Sequence, residues 1–198
     1  MTVTIRFNES IKDETIHSYT QKWIDDFNLP TEDGRNFSGF HGLKNTMIRQ
    51  FEQFSVINTS GDKATIILSG EIRFNLFNKT LHGKVESLEL GKKGIIQNGE
   101  NNIIIEKHLV EPQLIFNNLN IIGEYDYLEN ATENQKNDLH QIGFNLKKGN
   151  ADIFLEILKT QGIDVNTPLK DMVISSQLNM PVIDTIGATV GNDILLVA

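Results

Sequence analysis

The sequence predicts an α+β fold in which about four α-helices pack on one face of an antiparallel β-sheet. From Val3 to Tyr125 apolar residues recur mainly with a period of two, which is typical of strands with one buried face. After Tyr127 the period changes to three and four, which is typical of amphipathic helices. One further helix, over residues 15–27, is predicted before most of the strands.

Residues 68–90 are predicted to form the hairpin around which the sheet is built. Ile72, Phe74 and Leu76 alternate with polar residues, so one face of the first strand is buried and the other is wet. Residues 78–80 are the predicted turn, and the second strand runs to Leu90.

The remaining strands are predicted at 3–7, 47–57, 62–72, 103–106, 113–116 and 119–125, which makes a meander of six or seven strands. Residues 28–46 are rich in Gly, Asn and Pro and are predicted to be a loop. In the helical part, a capping box joins Thr132 to Gln135, a third helix runs from Asn150 to Gly162, and a short fourth begins near Pro168.

Composition excludes several classes of function. The chain has 198 residues, a net charge of -8 and a sequence pI near 5.1, which argues against binding to nucleic acid or an anionic membrane. It has no cysteine, so disulfides and thiolate sites are excluded. There is no P-loop, nucleophile elbow, zinc-protease motif or calcium loop, and the sequence offers no case for an enzyme.

The sequence shows no N-terminal signal for secretion and no membrane-spanning segment. The N-terminus lacks a basic region followed by an apolar run, and no segment approaches ~20 apolar residues, so membrane insertion is not expected. These features alone predict a cytoplasmic protein.

The central hairpin resembles the haem-carrying strands of the HasA-type secreted haemophores. The matching residues are Gly70, Ile72, Phe74, Leu76, Phe77, His82, Gly83, Val85, Glu86 and Leu88. Segments of the C-terminal third, including residues 154–156, 162–167 and 183–187, are similar to the same family. The resemblance implies a single domain over residues 1–198, a strongly curved sheet, and haem held between two loops at one end.

The resemblance also places the family's iron ligands. Its tyrosine ligand falls on Phe74, which has no oxygen, and its second axial histidine falls on Glu32. Lys79 or a gap replaces the histidine that assists the tyrosine, and Lys147 replaces a methionine that lines the haem.

Two histidines are the candidate metal ligands that replace the tyrosine. His82 precedes Gly83 in the hairpin, and His41 lies between glycines in the segment that resembles a family loop. Neutral imidazole is a competent haem ligand. Either histidine alone, both together, or haem without strong axial bonding remain open, as does a role for His41 as a plain surface residue. His108 and His140 are predicted to be structural.

A flat apolar slot is the other requirement for haem. The predicted cofactor-binding residues are Phe54, Phe74, Leu76, Phe77 and Phe144, although an aromatic cluster beside a sheet is also typical of ordinary core.

The leading hypothesis is a secreted haemophore that captures haem and delivers it to an outer-membrane receptor. Residues 193–198 resemble the C-terminal signal for type I secretion, or they are a frayed last strand. The location is then extracellular, and a domain-swapped homodimer is left open. The alternative hypothesis is a HasA-fold protein that no longer binds haem and acts by protein contacts. A third is an α+β domain with an unrelated apolar ligand.

Overall fold

The computed structural model describes residues 2–27, 37–58, 64–98 and 104–178, and within these ranges the chain forms seven strands and four α-helices. The strands are β1 (Thr4–Phe7), β2 (Phe37–Asn45), β3 (Gln50–Ile57), β4 (Ala64–Asn75), β5 (Thr80–Asn98), β6 (Ile104–Gly123) and β7 (Ser175–Gln177). The helices are α1 (Ile16–Phe27), α2 (Ala131–Asn134), α3 (Asp138–Lys147) and α4 (Asp152–Thr160), and 3-10 turns occupy Glu9–Ile11 and Leu169–Asp171. The predicted α+β fold is confirmed.

The strands form one open sheet in the order β2-β3-β4-β5-β6-β1-β7. Neighbouring strands are antiparallel, except that β1 and β7 are parallel. β2 also contacts β6, although three strands separate them in the sheet order. This contact requires the sheet to curve strongly, as expected.

The helices complete one apolar core with the sheet. Buried side chains of α1, α3 and α4 join those of the sheet in a single cluster. On α1 the predicted apolar stripe is confirmed, because Ile16, Tyr19, Trp23 and Phe27 are all buried. The Trp23 indole N–H donates to the carbonyl of Gly91 at 3.3 Å, which ties the helix to β5.

The central hairpin is confirmed, but its turn lies at residues 76–79 rather than 78–80, and β5 continues past Leu90 to Asn98. Its register pairs Arg73 with His82 and Phe74 with Leu81. Because paired residues project on the same face, Arg73 and His82 share one face, and Phe74 and Leu81 share the other.

The prediction of a loop over residues 28–46 is wrong for residues 37–45, which form the edge strand β2. Pairing with β3 satisfies the backbone groups on one side of β2, and Gly42 adopts a φ of 65° next to an irregularity in the pairing at Leu43 and Asn45. The strand predicted from residue 47 begins instead at Gln50, because Asn45 Oδ1 accepts hydrogen bonds from the next turn.

Three separate strands predicted at 103–106, 113–116 and 119–125 fall in one continuous strand, β6, which runs from Ile104 to Gly123. Asn118 has a φ of 58°, and the register with β5 shifts nearby, between Val85 and Ser87. The positive φ of Asn118 accommodates this shift in register, so the strand continues through it.

The predicted helical starts and ends are only partly correct. The capping box at Thr132 is wrong, because Asn130 caps α2 and Asn137 caps α3. The apolar face of Leu139, Ile142 and Leu146 is confirmed as buried. Gly162, with a φ of 79°, ends α4 as predicted, whereas the expected fourth helix after Pro168 is only a 3-10 turn. Glu32 and residues 193–198 lie outside the described residues.

Candidate functional site

The site predicted from the hairpin lies at one end of the sheet, where two turns meet. Residues 46–49 join β2 to β3, and residues 76–79 join β4 to β5. The Phe74 N–H donates to the carbonyl of Arg49 at 3.4 Å, so the first turn is attached to the end of β4. Two cavities open beside these turns, and Phe74 borders both.

The first, here called the aromatic cavity, has a volume of about 190 Å³. Its walls and rim are formed mainly by Phe40, Phe54, Phe74, Phe144, Lys79, His140 and Lys147. The Phe40 ring lies 5.1 Å from the Phe54 ring and 5.1 Å from the Phe74 ring, measured between centroids. Phe54 is only 6% exposed, so this wall is also part of the core.

The second, here called the hairpin-tip cavity, has a volume of about 260 Å³. It is lined by apolar side chains that include Met47, Leu76 and Phe77, and by Arg49, Arg73 and His82. Phe77 is 100% exposed and Leu76 is 49% exposed, so neither contributes to the core. Arg73 forms an ion pair with Glu71, so the exposed apolar groups suit a ligand with an apolar body, and Arg49 can face its negative charge.

His82 borders the hairpin-tip cavity and is nearly buried. Its ring packs on Tyr125 with centroids 4.6 Å apart. The Tyr125 hydroxyl accepts hydrogen bonds from the amides of Asn75 and Asn78, at 2.8 and 2.6 Å, which fixes the stack. Burial, aided by the positive charge of Arg73, lowers the pKa of His82 from 6.5 to about 4. The imidazole is therefore neutral at physiological pH.

His41 lies elsewhere. Its Nε2 is 2.9 Å from the hydroxyl oxygen of Ser55, and the side chain is buried. In the register of β2 and β3, His41 pairs with Gln53 and Phe40 with Phe54, so His41 projects on the face opposite the aromatic cluster. It lines neither of the two cavities.

His140 borders the aromatic cavity and was not among the predicted site residues. Its Nδ1 accepts the Leu81 N–H at 3.2 Å, and burial lowers its pKa. A neutral ring that accepts at Nδ1 carries its hydrogen on Nε2. The signal in the sequence is its helical spacing with Phe144 and Lys147 on α3, which places the three on one side.

Lysines stand at the mouth of the same cavity. The Lys147 ammonium donates to the Ser38 hydroxyl at 3.1 Å, and the Lys148 ammonium lies 4.2 Å from the centre of the Phe144 ring. Lys79, in the second turn, has a φ of 53° and lines the cavity from the other side. Among the described residues no three His, Cys, Asp or Glu side chains gather where they could hold a bare metal ion.

The sequence model of the family described as "Heme-binding protein A (HasA)" matches residues 1–198. The chain belongs to the HasA family. Solved HasA structures agree with this assignment. An apo form of the hemophore HasA from Yersinia pestis is 28% identical with a TM-score of 0.77, covering 89% of this chain and 97% of its own. A comparison with curated proteins finds no significant match.

Two further HasA structures are similar over the same share of the chain, 89%, and over 99% of their own length. A holo form from Yersinia pestis is 29% identical with a TM-score of 0.78. A tyrosine-to-alanine mutant monomer from Yersinia pseudotuberculosis is 28% identical with a TM-score of 0.77. Family and fold, both expected from the hairpin, are thereby confirmed. No helix in the described part of the chain is long and apolar enough to cross a membrane.

Proposed function

We propose that this protein captures haem at the Phe74 end of its sheet, with His82 as the axial ligand in place of a tyrosine. The observation that carries the proposal is the position and state of His82. It borders the same cavity as Phe74, Leu76 and Phe77, and its imidazole is neutral. A neutral imidazole nitrogen beside an apolar slot can ligate haem iron.

The two cavities support a ligand as large as haem only if it uses both. Small-molecule sites measure roughly 300–1,000 Å³, and each cavity alone is smaller. They adjoin at Phe74, so a flat ligand against this residue contacts Phe54 and Phe144 on one side and Leu76 and Phe77 on the other. All five predicted cofactor-binding residues then have a place in the proposed site.

His41 is the less favoured ligand. It would have to give up its contact with Ser55 and leave the buried face of β2, which costs about 1–3 kcal/mol for the hydrogen bond alone. His82 needs no such change, because its ring already borders a cavity. A site with both histidines is disfavoured for the same reason.

The test is an absorbance titration of the purified protein with haemin, repeated for His82→Ala and His41→Ala. The exposed His17 on α1 supplies the matched control, His17→Ala. We expect a saturable Soret band that His82→Ala shifts and weakens, while His41→Ala and His17→Ala leave it unchanged. A His82→Ala protein with the wild-type spectrum and affinity would remove His82 from the iron.

The remaining parts of the proposal concern the fate of the haem. We propose a single-domain carrier that is extracellular and passes haem to an outer-membrane receptor, without catalysis. Residues 193–198 would act as the type I secretion signal. Deleting them should leave the protein inside cells that otherwise release it into the medium, and release of the truncated chain would contradict this role. A domain-swapped homodimer would appear as a second peak in size-exclusion chromatography.

One observation favours a second candidate function, a HasA-fold protein without haem that acts through protein contacts. The Phe74 ring packs on Phe40 and occupies space beside the aromatic cavity. Phe77, Tyr127 and Leu128 are 100%, 82% and 95% exposed at the same end, which suits a protein partner. This candidate predicts that wild-type protein leaves the spectrum of free haemin unchanged.

A further inference from the structure

Lysines without an acidic partner are confined to one place in the described part of the chain. Nine lysines there form ion pairs with Asp or Glu, namely Lys12, Lys22, Lys44, Lys84, Lys92, Lys93, Lys136, Lys159 and Lys170. The three whose side chains are described and form no such pair are Lys79, Lys147 and Lys148. The chain has a net charge of -8, so carboxylates are plentiful. The absence of a carboxylate partner for these three lysines therefore sets them apart from the other described lysines.

All three lysines lie at the mouth of the aromatic cavity. Lys79 and Lys147 line it, and Lys148 lies over the ring of Phe144, which also lines it. The walls are aromatic, so the cavity combines an apolar floor with unpaired positive charge at its rim. Such a site suits a flat apolar body that carries carboxylates, because ammonium groups form charge-assisted hydrogen bonds with them.

The aromatic cavity offers nothing for iron. Lysine ammonium groups do not coordinate metal while protonated, and the only histidine among its described lining residues is His140. The Nδ1 atom of His140 accepts the Leu81 N–H, so Nε2 bears the hydrogen and has no free lone pair for a metal. That N–H can instead donate to an anionic oxygen.

We propose that the aromatic cavity recognises the carboxylates of a porphyrin, so that a metal-free porphyrin dicarboxylate binds without iron. This inference rests on the proposed function, because it describes how the same site holds its ligand. Lys79 and Lys147 are the specificity-determining residues. His82 adds a bond to iron when iron is present.

The test compares three probes: haemin, protoporphyrin IX, and the dimethyl ester of protoporphyrin IX, which lacks free carboxylates. Haemin binding is followed by absorbance and binding of the other two by fluorescence. The variant is Lys79→Met with Lys147→Met, and the control is Lys12→Met with Lys159→Met. The control removes the same charge from two exposed ion pairs on other surfaces. Methionine keeps the unbranched side chain, so the turn at Lys79 is not strained further.

We expect protoporphyrin IX to bind to wild-type protein and to the control variant with equal affinity. The double variant at the cavity should weaken it about tenfold, since each of the two charge-assisted hydrogen bonds lost at an exposed rim is worth about a factor of three. The ester should bind about as weakly to both proteins. His82→Ala should weaken haemin binding more than protoporphyrin IX binding, because only haemin loses a bond to iron.

Failure of the inference differs from failure of the proposed function. Haemin that binds saturably while protoporphyrin IX does not would overturn carboxylate recognition and leave haem capture intact. Equal binding of the ester and the free acid, or an unchanged affinity in the double variant, would overturn it as well. Absence of binding by all three probes would overturn both proposals.

Discussion

Replacing His82 by Phe should make the folded state less sensitive to mild acid. In the folded protein the pKa of His82 is about 4, whereas in the unfolded chain it is close to 6.5. As pH falls below 6.5, His82 binds a proton in the unfolded chain but not in the folded protein. The unfolding free energy of the wild type therefore declines between pH 6.5 and 4. Phenylalanine has no proton to take up, and it can keep the stack on Tyr125.

The magnitude follows from the two pKa values. From pH 7 to pH 5 a fully shielded ring would cost the wild type about 2 kcal/mol of unfolding free energy. His82 borders an open cavity and is 9% exposed, so screening by water reduces the expected difference to about 1 kcal/mol. Arg73, the charged group that faces the ring from the paired strand, is present in both proteins.

Urea unfolding at the two pH values measures this difference. The quantity of interest is the loss of unfolding free energy from pH 7 to pH 5 in wild type minus that in His82→Phe. His140, whose pKa burial also lowers, is common to both proteins and cancels. An identical loss in the two proteins would mean that His82 titrates normally in the folded state, and the argument for a shielded, neutral ligand would fail.

Three other substitutions test the site and the fold. Phe74→Tyr should tighten haemin binding and change its visible spectrum, since tyrosinate is a strong ligand for ferric haem; an unchanged spectrum would place Phe74 away from the iron. Gly83→Ala should cost more than about 2 kcal/mol in urea unfolding, because Gly83 has a φ of 112° and a Cβ would meet the Glu71 carbonyl; a stable variant would contradict this register. Asn134→Ala should cost about 2 kcal/mol, because its buried amide bridges the backbone at Asp126 in both directions at 2.8 Å; a neutral effect would show that water replaces it.

The sequence predicted the pairing of the hairpin correctly, and its alternation agrees with burial at Ile72, but the prediction that Leu76 continues the buried face is wrong. Ile72 is 0% exposed, and its neighbours Glu71 and Arg73 face solvent enough to form an ion pair with each other. Local preference and tertiary environment point the same way there, which is the condition under which periodicity is informative.

β2 and β6 were predicted less well because each contains a residue with a positive φ. Glycine and asparagine are typical of such positions, and in a sequence they resemble the end of a strand. Gly42 and its neighbouring glycine and asparagines gave residues 28–46 the composition of a loop, although a bulge accounts for Gly42. Asn118 divided β6 in the same way. Composition does not reveal whether the partner strand shifts register to accommodate such a residue.

The candidate site was predictable as a set of residue types but not as an arrangement. Alternation along β2 does not by itself reveal that His41 faces away from the aromatic cluster, because the start of that strand was not recognised. The tautomer of His140 depends on the backbone N–H of Leu81, which is distant in sequence. The grouping of Lys79 with Lys147 depends on how a turn and a helix meet, and periodicity carries no such information.

Phe74 and the lysines are best understood as one change in the site. A phenol at Phe74 would place a hydroxyl next to Phe40 in a largely apolar cluster, where a polar atom without a partner costs about 1–3 kcal/mol. Iron relieves that cost only while haem is bound. The phenylalanine side chain has no hydroxyl, so the free protein does not have this cost. Haem binding must then be stabilised by other interactions. Unpaired ammonium groups at the rim of the cavity provide them without burying a charge, because Lys79 and Lys147 remain exposed to water.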